Sequence, residues 1–263
     1  MFNIFETKQM RNQAEKDLVL KLRLERTFKP ELRSLFSRMT KDFRTTVAIT
    51  GMAPKASDYS SSWKDLLKKH YNRTQQAFLG SVEGQLKQLE PAQADLLGLA
   101  LLDYRNVRAD IQENFITKTT DNNMFRAIQE ARQALEEDEQ DITNRSLATT
   151  AAIILTRKQK GRIEGIATLE TQAPAESTKL FEARSLSGAS PSPAVTPTEQ
   201  VFRPVVSELI KTWKTVGDRT VRNSHKAANN QTVGIDDNFI VQGQSLSYPG
   251  DNFMGATIDN TAG

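Results

Sequence analysis

Asp218, Arg222, His225 and Asn229 stand four, three and four residues apart, so on a helix they share one face. A carboxylate, a guanidinium, an imidazole and an amide brought together can act in two ways. Arg222 can bridge Asp218 to the loop after the helix, which makes a fixed hydrogen-bonded network. Alternatively, His225 can shuttle a proton while Arg222 holds an anion, which makes an acid–base site. Residue types alone leave both open, with the network the more ordinary arrangement.

Other chemistries find little purchase. The chain has two histidines and no cysteine, so thiolate metal sites are excluded and His225 has no partner at zinc spacing. Neither standard glycine-rich phosphate loop occurs. Ser224 adjoins His225 in sequence, and adjacent helical residues do not face each other, which argues against a nucleophilic triad. Asp236-Asp237 lacks the alternating oxygen ligands and central glycine of a calcium loop. His70, after Lys68-Lys69, reads as an exposed polar helix residue. The expectation is a protein without metal or cofactor.

The 35 basic residues are nearly cancelled by 32 acidic ones, and a net charge of +3 does not by itself argue for nucleic-acid binding. No run of about eighteen apolar residues is present, so no membrane span is expected. Met1 to Arg11 is polar and charged, unlike a signal peptide, which predicts a soluble, intracellular product.

The elements that must carry these residues are read from apolar spacing. Ala14, Leu18 and Leu22 predict a first helix from about Glu6 to Arg26. Pro30 suits the first turn of a second, whose stripe is Leu32, Leu35, Phe36, Met39, Phe43 and Val47, interleaved with Lys29, Arg33, Arg38, Lys41 and Arg44. A third is expected from Ser62 to Glu90, a fourth from Pro91, and a fifth from Asn122 to about Glu139 with Asp121 as its N-cap. Glu136 to Asp141 forms an acidic helix end. Asn144 to Arg157 is small and apolar and predicts close helix packing, with a basic stretch at Arg157, Lys158, Lys160 and Arg162. Pro174 is expected to interrupt before a last short helix.

Ser187 to Thr198 differs in kind, with three prolines among small residues, and marks a linker. The expected fold is mainly α: a helical region over 1–186, a Pro/Ser-rich linker over 187–199, and a small α+β domain over 200–263. Within that domain Thr212 to Val216 suits a strand, Asp218 caps a helix to Ala228, and Thr232 to Val241 suits an extended or hairpin segment. Trp213 is expected to anchor the domain core, Phe239 to close it, and Pro249 to set its exit turn.

Trp213-Lys214-Thr215, Asp218, Val221-Arg222, His225, Gln231, Asp237, Phe239 and Tyr248-Pro249-Gly250-Asp251 resemble the C-terminal signature of the phage Mu F-like head-morphogenesis family. The resemblance covers roughly fifty residues, and Asn144 to Thr150 is similar to the family's upstream helix. Where the family has Asp-Gly before the glutamine this chain has Asn229-Asn230, and asparagine tolerates the positive φ such a turn requires. The family's terminal Asn-Cys-Arg-Cys run is not in this sequence.

The resemblance implies a minor capsid protein of a tailed phage, present in several copies inside the virion near the portal vertex. Its expected partners are the portal protein and the major capsid protein, during head assembly, DNA packaging or ejection, with nonspecific contact to packaged DNA through basic rows. Two alternatives remain. The family's C-terminal domain is similar to folds of small RNases and toxin nucleases, in which His225 and Arg222 would be catalytic. A scaffold would instead leave the head on maturation.

Overall fold

The computed structural model describes residues 4–80, 89–187, 210–213, 215 and 223–249. The chain is mainly α with a small strand-bearing part near its C-terminus. Among the described residues the long helices are α1 (Ile4–Thr50), α2 (Ser60–Phe78), α3 (Pro91–Glu137) and α4 (Asn144–Leu186). After them come β1 (Ile210–Thr212), a short α5 (Asn223–Ala228), β2 (Thr232–Gly234), β3 (Phe239–Val241) and β4 (Gln244–Leu246).

The helices are fewer and longer than local signals predict. Pro30 lies inside α1 rather than at a helix start. Its missing N–H and ring clash cost about 3 kcal/mol. Phe28, Leu32, Leu35 and Phe36 are all buried on either side of it, at about 1.5–3 kcal/mol each, so one unbroken apolar stripe outweighs the break. Pro174 likewise sits within α4, where the hydroxyls of Ser177 and Thr178 donate to its carbonyl at 3.1 and 2.6 Å.

Asp121 is a cap, but of a different segment. It lies in mid-α3, and its Oδ1 accepts the backbone N–H of Ala56 at 2.7 Å, at the start of a 3₁₀ turn (Ala56–Tyr59). That bond leaves no helix boundary at 121. The helix expected to reach Glu90 stops at Phe78, because Gly80 turns the chain at φ 84° and its N–H goes to Glu182 Oε1 at 2.8 Å.

The chain divides into two compact units. An all-helical unit comprises Leu22–His70 and Asn106–Ala167. Its core joins the α1 stripe to Trp63 and Leu67 of α2, Ile116 and Met124 of α3, and Leu147, Ala151 and Leu155 of α4. Phe28 stacks on His70 with ring centroids 3.8 Å apart, and Phe36 meets Trp63 edge-on at 5.1 Å. His70, expected as a surface residue, is therefore buried. Gly51 ends α1 at φ 70°, and Thr143 begins α4 by exchanging bonds with Ser146, its Oγ1 accepting the Ser146 N–H at 3.1 Å.

A mixed unit comprises Met1–Lys21, Tyr71–Arg105 and Thr168–Gly263. Leu97, Leu101 and Tyr104 of α3, with Ala173, Leu180 and Phe181 of α4, bury Ile235 and Tyr248. Arg184 pairs with Asp236 at 3.2 Å. The strands form two antiparallel pairs, β1 with β2 and β3 with β4, so Thr232 to Val241 is not one hairpin. The hairpin turn is Gln242-Gly243, both at positive φ (53° and 76°), which the two-residue connection of twisted strands requires.

Candidate functional site

Trp213 directly follows β1, which ends at Thr212 short of the strand expected to Val216; α5 delivers His225, the turn before β2 delivers Gln231, and β3 delivers Phe239. Trp213 is 2% exposed and packs with Ala228, Phe239, Val241 and Leu246. The Phe239 ring meets it edge-on at 5.3 Å and the His225 ring at 5.7 Å. The Trp213 backbone donates to the Gln231 carbonyl and accepts from the Asn230 N–H, both at 2.8 Å. Asn230 takes φ 68°, so the turn expected at Asn229-Asn230 forms without glycine. Asn229 Oδ1 then accepts the Thr215 N–H at 3.1 Å.

Gln231 ties the two strand pairs together, its Oε1 accepting the Ile240 N–H at 3.1 Å. Lys211 lies over the Phe239 ring at 5.4 Å and donates to the Ser247 carbonyl at 3.0 Å. Pro249 is half-buried in the turn after Tyr248. Asp218, Arg222 and Asp251 lie outside the described residues, as does the polar network expected of the first two. What is brought together is an aromatic knot with an imidazole at its edge. His225 is 1% exposed, a position for holding a fold more than for meeting a polymer substrate.

Sequence reasoning missed Lys211, which covers the Phe239 ring of the knot, and also Ile235, packed among Leu97, Tyr104 and Phe181, and Arg184, paired with Asp236; Ile235 carries a signal only as an apolar residue beside a turn.

A second arrangement lies in the all-helical unit. α1 and α4 run antiparallel there, since Lys29 and Arg33 meet Glu164 while Thr40 meets Gln159. Between them is a groove of about 940 Å³, floored by Phe36, Ala152 and Ile163. Arg33, Lys41, Arg44, Arg157 and Lys160 line it, so two basic rows far apart in sequence share one cleft. The other basic residues are engaged elsewhere. Lys158 pairs with Glu130 at 2.8 Å. Arg162 turns inward over the Phe36 ring, donates to Thr120 Oγ1 at 3.0 Å, and is lowered to about 10 by burial, so it stays charged at neutral pH. A hydrogen bond from Lys29 holds the Glu164 carboxyl below its ordinary range, with Arg33 adding to it.

No protein-family model, curated protein or solved structure matches the chain.

Proposed function

We propose that the chain is a minor capsid, head-morphogenesis protein of a tailed phage. It binds the portal protein, the major capsid protein or both inside the virion near the portal vertex, and assembles from the host cytoplasm. In this reading 1–186 and 200–263 are its working parts, joined by 187–199. The observation that carries it is the behaviour of the signature residues. Trp213, His225, Gln231 and Phe239, four of the residues that carry the resemblance to the Mu F-like family, meet in one packed knot. A binding module needs such a rigid knot to present its surface, whereas a catalyst needs its imidazole open to substrate. A nuclease built on His225 and Arg222 has correspondingly less support.

Among the described residues no helix is long and apolar enough to cross a membrane. The cationic groove suits contact with an anionic partner, packaged DNA included, through charge rather than base reading. Binding of the purified chain to portal protein tests the proposal.

A further inference from the structure

We propose that the α1–α4 groove docks the acidic α3–α4 connection of a second copy of this chain. Four of its cations, Lys41, Arg44, Arg157 and Lys160, have no ion pair among the described residues. Like charges held along one cleft repel, and the cleft is completed by an occupant of opposite sign. Its floor is apolar, and Ile153 beside the floor is 51% exposed, so the occupant carries an apolar side chain as well as acids. Gln159 is buried in the groove wall. Its Oε1 accepts the Thr40 hydroxyl at 2.9 Å, and its Nε2 has no acceptor among the described residues.

The chain contains a segment with these properties. Glu136, Glu137, Asp138, Glu139 and Asp141 are all exposed, and Ile142 beside them is exposed too. The segment is a formed knob, so little ordering entropy opposes docking. Gln140 N–H bonds the Leu135 carbonyl at 2.9 Å and Glu139 N–H the Glu136 carbonyl at 3.2 Å, a Schellman closure with Glu139 at φ 53°. The Thr143–Ser146 exchange fixes its other side. Five carboxylates and an isoleucine thus answer four cations and an apolar floor. Knob and groove are different surfaces, so the contact is head-to-tail and propagates from copy to copy.

Sedimentation of the full chain tests this independently of portal binding. At about 0.1 M ionic strength, where the screening length is about 10 Å, association rises with concentration; at about 1 M, where it is about 3 Å, the chain is monomeric. K41E/R157E and E136Q/E137Q/D138N alter exposed residues only, the first reversing the groove and the second merely neutralising the knob, and each variant alone is monomeric at both strengths. Mixed together they form a one-to-one complex and nothing larger, because one intact knob meets one intact groove. A wild-type chain that stays monomeric at low salt, or a mixture that does not pair, overturns the proposal. So does unchanged association in K41E/R157E accompanied by lost retention of duplex DNA, which assigns the groove to a polyphosphate backbone instead.

Discussion

Gln231 Oε1 accepts the backbone N–H of Ile240 at 3.1 Å, which links the β1–β2 pair to β3 through one side chain. The Gln231 carbonyl meanwhile holds Trp213, so the residue serves both sides of the knot. Gln231→Ala is expected to cost about 0.5–1.5 kcal/mol, the usual net value of one hydrogen bond. Gln231→Glu keeps an acceptor and should lie nearer wild type. Denaturant midpoints of the three proteins, with exchange rates of the Ile240 amide, check the ordering.

Trp213 is the largest side chain of the C-terminal cluster, and both Phe239 and His225 rest on its edges. Trp213→Ala should destabilise by about 3–5 kcal/mol, and Trp213→Phe by less, since an aromatic ring remains. Thermal melts followed by near-UV dichroism read this. A melt unchanged by Trp213→Ala would show that the indole does not hold the knot.

The Asp121 carboxylate caps a segment sixty-five residues away in sequence, at the Ala56 N–H. Asp121→Ala leaves α3 itself intact and should cost about 1.5–3 kcal/mol, as for hydrogen bonds to charged groups. Asp121→Asn, still an acceptor but uncharged, should fall between. Equal stability of all three in urea unfolding would contradict the tertiary cap.

Lys179 joins Glu176 at 3.0 Å and Asp17 at 3.2 Å, and Lys21 also reaches Glu176. Burial opposes ionisation of Glu176, but Lys179 and Lys21 outweigh it and lower the carboxyl from 4.5 to about 2. A depressed carboxyl adds stability that is fully present above its unfolded value and disappears as pH falls through the folded one. The advantage of wild type over Glu176→Gln should therefore persist at neutral pH and shrink between pH 4.5 and about 2. Burial lowers Lys179, yet Glu176 and Asp17 together raise it above 10.5, so its contribution is lost only as pH rises through that raised value. Melts of both proteins across pH check the two limbs, and a gap that widened on acidification would refute the sign.

The helical class was legible because the spacing of Leu32, Leu35, Phe36, Met39, Phe43 and Val47 is periodic, and each of these is buried. Helix boundaries were not, because Pro30 and Pro174 act locally while the stripes they interrupt are secured across the unit. Asp121 is a capping residue by type, but nothing in its neighbourhood says that the N–H it accepts belongs to Ala56. The Gln242-Gly243 turn went unread because glutamine seldom takes φ 53°, and only the β3–β4 register demands it. Near the candidate site, the apolar character of Trp213 and Phe239 pointed inward, whereas the seating of Ile235 and Tyr248 against Leu97, Tyr104 and Phe181 depends on contacts more than fifty residues apart.

The most direct test of the head-protein reading is a pull-down of the purified chain against portal and major capsid proteins of the same phage, at low and at high ionic strength. The proposal predicts capture of portal protein that persists at high ionic strength and is weakened by Trp213→Ala. Failure to retain either partner at both strengths, with the chain folded, would contradict it.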